Sequence, residues 1–219
     1  MEPAIRPRIK ICCIGSEEEG RLAVRAGAAA LGLVSAMPSG PGVIDNVSIA
    51  RIAAGVPPPV ATFLLTSRIE AEPIIVQQQQ AGCGTLQLVD RVAAGTYARL
   101  RTALPGIRLV QVIHVTGPES LDEAVVAAAG VDAILLDSGN PSLAVKELGG
   151  TGRCHDWGIS RQIREAIPVP LFLAGGLNAG NVRQAVETVA PFGLDVCSGV
   201  RTNGKLDPEK LDAFFAALP

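Results

Sequence analysis

The sequence predicts an α/β fold, a (β/α)₈ TIM barrel filling residues 1–219 as one domain. Three observations carry this. Eight short apolar runs alternate with eight helical stretches from end to end. Several runs, such as Ala133-Ile134-Leu135-Leu136, are apolar at successive positions, as strands of a parallel sheet buried on both faces must be. No linker or composition break divides the eight units, which favours a closed barrel over a doubly wound open sheet.

The elements follow in order. A first strand over 8–12 leads to a helix over 16–26, where Ser16 and Glu19 fit a capping box and Gly27 marks the end. The second strand spans 30–35. A Pro- and Gly-rich loop over 37–43 then reaches a helix that starts at Asp45, a good N-cap, and ends at Gly55. Strand 60–65 and helix 69–81 form the third unit. The glutamine run 77–80 at that helix end reads as a solvated face. Strand 85–89 and a short helix 95–103 complete the first half. The second half has strand 108–114 with helix 120–129, and strand 132–137 with the one long connection, 138–156, before helix 157–166. Strand 169–173 with helix 178–189 and strand 194–197 with a closing helix 208–218 end the chain.

Composition narrows the function. Of 219 residues 48% are hydrophobic, which is ample for a large core. A formal net charge of -2 argues against a polyanion partner, and 3% aromatics leave little for stacking on bases, so no nucleic acid is expected. Five cysteines, an odd number at low density, argue against a disulfide framework. No two have metal-ligand spacing, and no metal is expected. No apolar run has the length of a membrane span or the flanks of a signal peptide, so the reading is cytoplasmic, with no membrane partner.

In a barrel of this kind functional groups sit at the C-terminal strand ends. Two strands end in groups able to move protons, Cys12 and Asp137. By the period-two rule Lys10 shares a strand face with Cys12, where its charge would favour a thiolate or pair with a buried acid. Cys13 should then point to the opposite face. Alone, Cys12 would be a buried small hydrophobe and Asp137 a brace for the next loop. The seventh strand ends in Leu173-Ala174-Gly175-Gly176-Leu177, and the eighth in Asp195-Val196-Cys197-Ser198-Gly199-Val200. Gly175, Gly176, Ser198 and Gly199 therefore read as a phosphate cup of backbone N–H groups, against the alternative of simple tight turns. The long sixth loop, with Gly149-Gly150-Thr151-Gly152, has the length of a lid. His114 ends the fifth strand, a site position or a hydrogen-bonded filler.

Together these residues resemble the phosphoribosylanthranilate isomerase family of tryptophan biosynthesis. The carrying pieces are Lys10-Ile11-Cys12, Leu31-Gly32-Leu33, Leu86-Gln87-Leu88, Leu135-Leu136-Asp137-Ser138, the glycines of the sixth loop with Asp156-Trp157, and the two cup motifs. They occur in family order over nearly the whole chain. The resemblance implies an Amadori rearrangement of an N-(5-phosphoribosyl) amine to a 1-amino-1-deoxyribulose 5-phosphate, without metal or organic cofactor. It implies Cys12 as general base, Asp137 as general acid, and Gly150 and Gly152 beside the cup residues on the substrate. The partner would be a small phosphorylated sugar-amine, and the protein a monomer or homodimer.

The chain departs from the family pattern at four places. Cys13 stands where the family usually has glycine. Met37-Pro38-Ser39-Gly40-Pro41-Gly42 stands where Ser-Pro-Arg is usual, so no arginine follows the second strand. Val89 replaces a histidine, and His155 a phenylalanine. An arginine–carboxylate pair is strong and directional, so the distal end of the ligand must be held otherwise, with His114, Arg153 and His155 as candidates. A sugar-phosphate isomerase or epimerase with another aglycone, and a barrel that only binds a phosphorylated metabolite, remain the alternative readings.

Overall fold

A computed structural model of the chain describes residues 6–139 and 154–219. Eight parallel strands close into a barrel in sequential order: β1 (Arg8–Ile11), β2 (Ala30–Val34), β3 (Ala61–Thr66), β4 (Thr85–Leu88), β5 (Arg108–His114), β6 (Ala133–Asp137), β7 (Leu171–Leu173) and β8 (Gly193–Val196). The helices are α1 (Glu17–Ala26), α2 (Asn46–Ala54), α3 (Ala71–Ala81), α4 (Thr96–Ala103), α5 (Ser120–Ala128), α6 (Trp157–Ala166), α7 (Val182–Val189) and α8 (Pro208–Ala216). Among the described residues no helix is long and apolar enough to cross a membrane.

Strand alternation sorts the core into two layers. Ile9 and Ile11 of β1, Leu86 and Leu88 of β4, and Ile134 and Leu136 of β6 pack outward under the helices. Ala133 and Leu135 point inward with Phe63, Val110, Val112 and Phe172. Phe63 and Phe172 meet edge to face at 6.0 Å between centroids. Because positions two apart share a face, the same alternation carries Asp137 to the inner side of β6, and Lys10 and Cys12 to the inner side of β1.

Helix ends follow from capping chemistry. Ser16 Oγ accepts the Glu19 N–H, and Asp45 Oδ1 accepts that of Ser48. Asp156 caps α6, and Asp207 caps α8 ahead of Pro208. Gly27 ends α1 in the left-handed region, at φ 106.

Two local expectations are corrected. The helix expected from Asn178 begins at Val182, because Asn178 Oδ1 accepts the Gly180 N–H and holds a turn in place of the first helical turn. The glutamine run is not wholly a solvated face. Gln77 and Gln78 are buried, Gln77 accepting from Thr66 Oγ1 at 2.7 Å and Gln78 donating to the Cys83 carbonyl. Past β8 the chain also makes a small hairpin, β9 (Arg201–Thr202) and β10 (Lys205–Leu206). Its turn residues Asn203 and Gly204 both have positive φ, at 51 and 78. That is the Asn-Gly signal for a tight hairpin, legible but not drawn from the sequence.

The hairpin ties the chain's two ends together. Arg201 donates to Glu19 and to the carbonyls of Cys12 and Cys13, and Glu19 also accepts the N–H groups of Gly15 and Leu206. Burial works against the Glu19 charge, but Arg201 and these N–H groups outweigh it and hold its carboxyl below the ordinary value. A carboxyl depressed in the folded state stabilises it above the unfolded value of about 4.3, and that contribution fades as pH falls through the folded value. Arg201→Ala should therefore cost about 2 kcal/mol or more at neutral pH. The difference from the parent should shrink in acid. Urea midpoints at pH 7 and pH 3 would check this, and an equal gap at both would contradict it.

Candidate active site

The C-terminal strand ends line an open cavity. Cys12 lines it from the end of β1 and Asp137 from the end of β6. Both are therefore brought to one cavity. Asp137 Oδ1 accepts the Ser138 N–H at 2.7 Å, which fixes the carboxyl at the strand end. Space beside Cys12 exists because β2 offers Gly32 there. A Cβ at Gly32 would lie 2.8 Å from Lys10 Nζ and 2.9 Å from Cys12 Sγ.

Beneath Cys12 lies Lys10, fully buried, with its Nζ 2.8 Å from both carboxylate oxygens of Asp195 on β8. Lys10 thus pairs with a buried acid, one of the two roles open to it. Burial alone would lower the ammonium group, but the Asp195 carboxylate outweighs it and holds Lys10 above its ordinary value. Lys10 also lies 5.4 Å from the Phe63 ring centroid, a cation–π contact.

Cys13 does not point to the opposite face. It lines the same cavity as Cys12 and is buried. The reason is backbone geometry. β1 ends at Ile11, and Cys13 adopts φ 61, outside the strand region, so alternation stops before it. Gly42 of the β2–α2 loop closes over it, where a Cβ would lie 2.5 Å from Cys13 Cβ.

After β7 and β8, which lie between β6 and β1 in the barrel, Gly175 and Gly176 both have positive φ, at 86 and 64, and line the cavity with Ser198. Their left-handed conformation is one that glycine adopts without steric cost. Asn178 and Asn181 side chains donate to the Gly176 carbonyl. Among the described residues no acceptor is engaged by the Gly175 or Gly176 N–H. Gly199 does not line the cavity. A Cβ there would meet the Leu177 carbonyl oxygen at 1.9 Å, so its role is to let the loops after β7 and β8 touch. Gly150, Gly152 and Arg153 lie outside the described residues.

Neither histidine lines the cavity. His114 donates from Nε2 to the Val89 carbonyl at 3.0 Å, leaving its buried Nδ1 without a described partner. His155 Nε2 is hydrogen-bonded to Ser160 Oγ at 2.7 Å. Burial lowers its imidazole below the ordinary value, against the pull of Asp137 and Asp156. Sequence reasoning passed over Gln87, which lines the cavity with a buried Oε1 that no described residue engages. Its signal was a polar residue between two outward leucines. Met37, Ser39, Gly40 and Pro41 supply the wall where the family pattern has an arginine. Among the described residues no group of three or more His, Cys, Asp or Glu is placed to hold a metal ion.

The family described as N-(5'phosphoribosyl)anthranilate (PRA) isomerase matches residues 9–217. The chain belongs to this family. The N-(5'-phosphoribosyl)anthranilate isomerase of Haloferax volcanii is 36% identical over 212 residues, covering 96% of this chain and 92% of that protein. The phosphoribosyl anthranilate isomerase structure from Thermotoga maritima superposes with a TM-score of 0.80 at 29% identity, covering 96% of this chain and 98% of that one. A phosphoribosyl anthranilate isomerase in complex with reduced 1-(o-carboxyphenylamino)-1-deoxyribulose 5-phosphate gives a TM-score of 0.77 at 27% identity, with 96% and 97% covered. Against the isomerase family's usual glycine, the positive φ of Cys13 has a direct meaning. The backbone keeps a conformation suited to glycine while the side chain adds a thiol to the cavity.

Proposed function

We propose that the chain is a phosphoribosylanthranilate isomerase, converting N-(5-phosphoribosyl)anthranilate to the 1-amino-1-deoxyribulose 5-phosphate product in tryptophan biosynthesis. The supporting observation is the convergence of Cys12 and Asp137 on one cavity that the Gly175–Gly176 turn and Ser198 also line. Asp137 gives a proton to the furanose ring oxygen as the C1–O bond breaks, leaving a protonated imine. Cys12, as thiolate, removes the C2 proton; the electron pair moves into an enolamine, which tautomerises to the ketone. Acid and base act on one small substrate from separate strands. Complementation of a tryptophan auxotroph lacking this isomerase tests the reading. Growth supports it, and no growth from well-expressed protein counts against it.

The phosphate belongs at the Gly175 and Gly176 N–H groups, with Ser198 opposite. Gly176→Ala would force a side chain into a left-handed turn and crowd the anion. It should weaken product-analogue binding by about tenfold or more, the worth of one charge-assisted hydrogen bond. Isothermal titration would check this, and unchanged affinity would move the phosphate elsewhere.

The distal carboxylate has no arginine after β2 to meet it. With His114 and His155 turned to Val89 and Ser160, Arg153 is the remaining charged candidate. An analogue lacking the benzoate carboxylate should bind about tenfold more weakly or worse if anthranilate is the aglycone. Equal binding would point to another amine. The enzyme acts in the cytoplasm as a monomer or homodimer, which analytical ultracentrifugation distinguishes.

A further inference from the structure

Two cysteines that the rearrangement does not use face each other in the cavity wall. Cys13 Sγ and Cys197 Sγ are 2.8 Å apart, within about 1 Å of the S–S bond length of ~2.05 Å. They follow adjacent strand ends, since the Cys12 N–H is bonded to the Val196 carbonyl at 2.9 Å. Both line the cavity, and Cys197 is the partly exposed member of the pair. Gly42 lies close against Cys13, where a Cβ would fall 2.5 Å from Cys13 Cβ.

We propose that Cys13 and Cys197 form an oxidisable dithiol that hydrogen peroxide converts to an intramolecular disulfide. The electrostatics divide the two roles. The Cys13 contact and the nearby Arg201 charge lower the Cys197 thiol against its burial, whereas Cys13 is pushed up by its contacts with Cys12 and Cys197 and by burial. Cys197 is thus the thiolate that attacks. Its sulfur takes one peroxide oxygen, the O–O bond breaks, and the other oxygen leaves as water after taking a proton. Cys13 then attacks the Cys197 sulfenic sulfur and loses its proton, and the hydroxyl departs as a second water. One peroxide is reduced, and two thiols are oxidised to one S–S bond. The remaining cysteines are placed differently. Burial pushes Cys83 up to about 12, and Cys154 is exposed, with its sulfur against the Gly176 carbonyl.

The test starts from fully reduced protein, with five free thiols. Brief treatment with hydrogen peroxide should remove two thiols per chain and two hydrogens of mass. Peptide mapping under acid quench should recover Cys13 linked to Cys197, and dithiothreitol should restore all five thiols. The Cys12→Ser protein should form the same link, and Cys197→Ser should not. A link from Cys12 to either cysteine in the parent would overturn the proposal. So would a Cys197 that proceeds to sulfinic acid while Cys13 stays reduced, or an intact set of five thiols. These readouts are independent of isomerase activity.

Discussion

Cys12→Ser and Asp137→Asn should each lower turnover by about 10²- to 10⁴-fold while product-analogue affinity stays within a few-fold of the parent. The argument begins with what each change preserves. Serine keeps the shape at the end of β1 but offers a hydroxyl, a far weaker acid than a thiol, so no base is present to take the C2 proton. Asparagine keeps the shape at the end of β6 and can still accept the Ser138 N–H, but it has no proton to deliver to the ring oxygen. Neither change touches the glycine turns that would hold the phosphate, so binding should survive. Single-turnover kinetics with a fluorescence-detected product separates the two quantities. A Cys12→Ser enzyme with parental turnover would remove the base assignment, and with it the strand register that supports it. Cys13→Ser is not a silent control here. Its side chain shares the cavity, and it should change oxidation behaviour and, modestly, turnover.

The barrel and the meeting of Cys12 and Asp137 at one cavity were legible because they rest on periodicity. Alternating apolar runs and helical runs predict eight units, and parity along 8–12 and 132–137 places Cys12 and Asp137 on the inner side without knowledge of any neighbour. Parity fails one residue later. Cys13 lies beyond the strand with φ 61, and no alternation rule reaches a left-handed residue; only the family's glycine at that place hints at it. The Lys10–Asp195 pair was half legible. Two charged residues inside apolar strands announce a buried partner, but that they adopt matching register on β1 and β8 comes from barrel closure. The touching sulfurs of Cys13 and Cys197 are 184 positions apart in sequence and depend on that same closure. Gly199 was read as part of the phosphate cup, yet its conformational service is to let Leu177 pass. Close approach between two loops leaves no local mark other than the glycine itself.

Closure also sets the second large effect. Removing one member of the Lys10–Asp195 pair should destabilise the barrel by about 3–5 kcal/mol, because the partner's charge stays buried without compensation. Lys10 is wholly buried and Asp195 nearly so, and both carboxylate oxygens bond the same ammonium. Asp195→Leu leaves an ammonium under Cys12 with only the Phe63 face near it, a contact worth about 1–2 kcal/mol that cannot offset the loss. Lys10→Met leaves a carboxylate facing the aliphatic interior. The double variant Lys10→Met/Asp195→Leu should recover most of the stability, since apolar replacement of a buried pair is often neutral or favourable. Urea unfolding of all four proteins gives the coupling energy directly. Additive single losses would mean that the two charges do not depend on each other, contrary to the geometry. The recovered barrel should nevertheless turn over more slowly than the parent, for the Lys10 charge that acts on Cys12 is gone. Stability restored without activity restored is the outcome that assigns this pair to positioning charge beside the base as well as to holding β1 against β8.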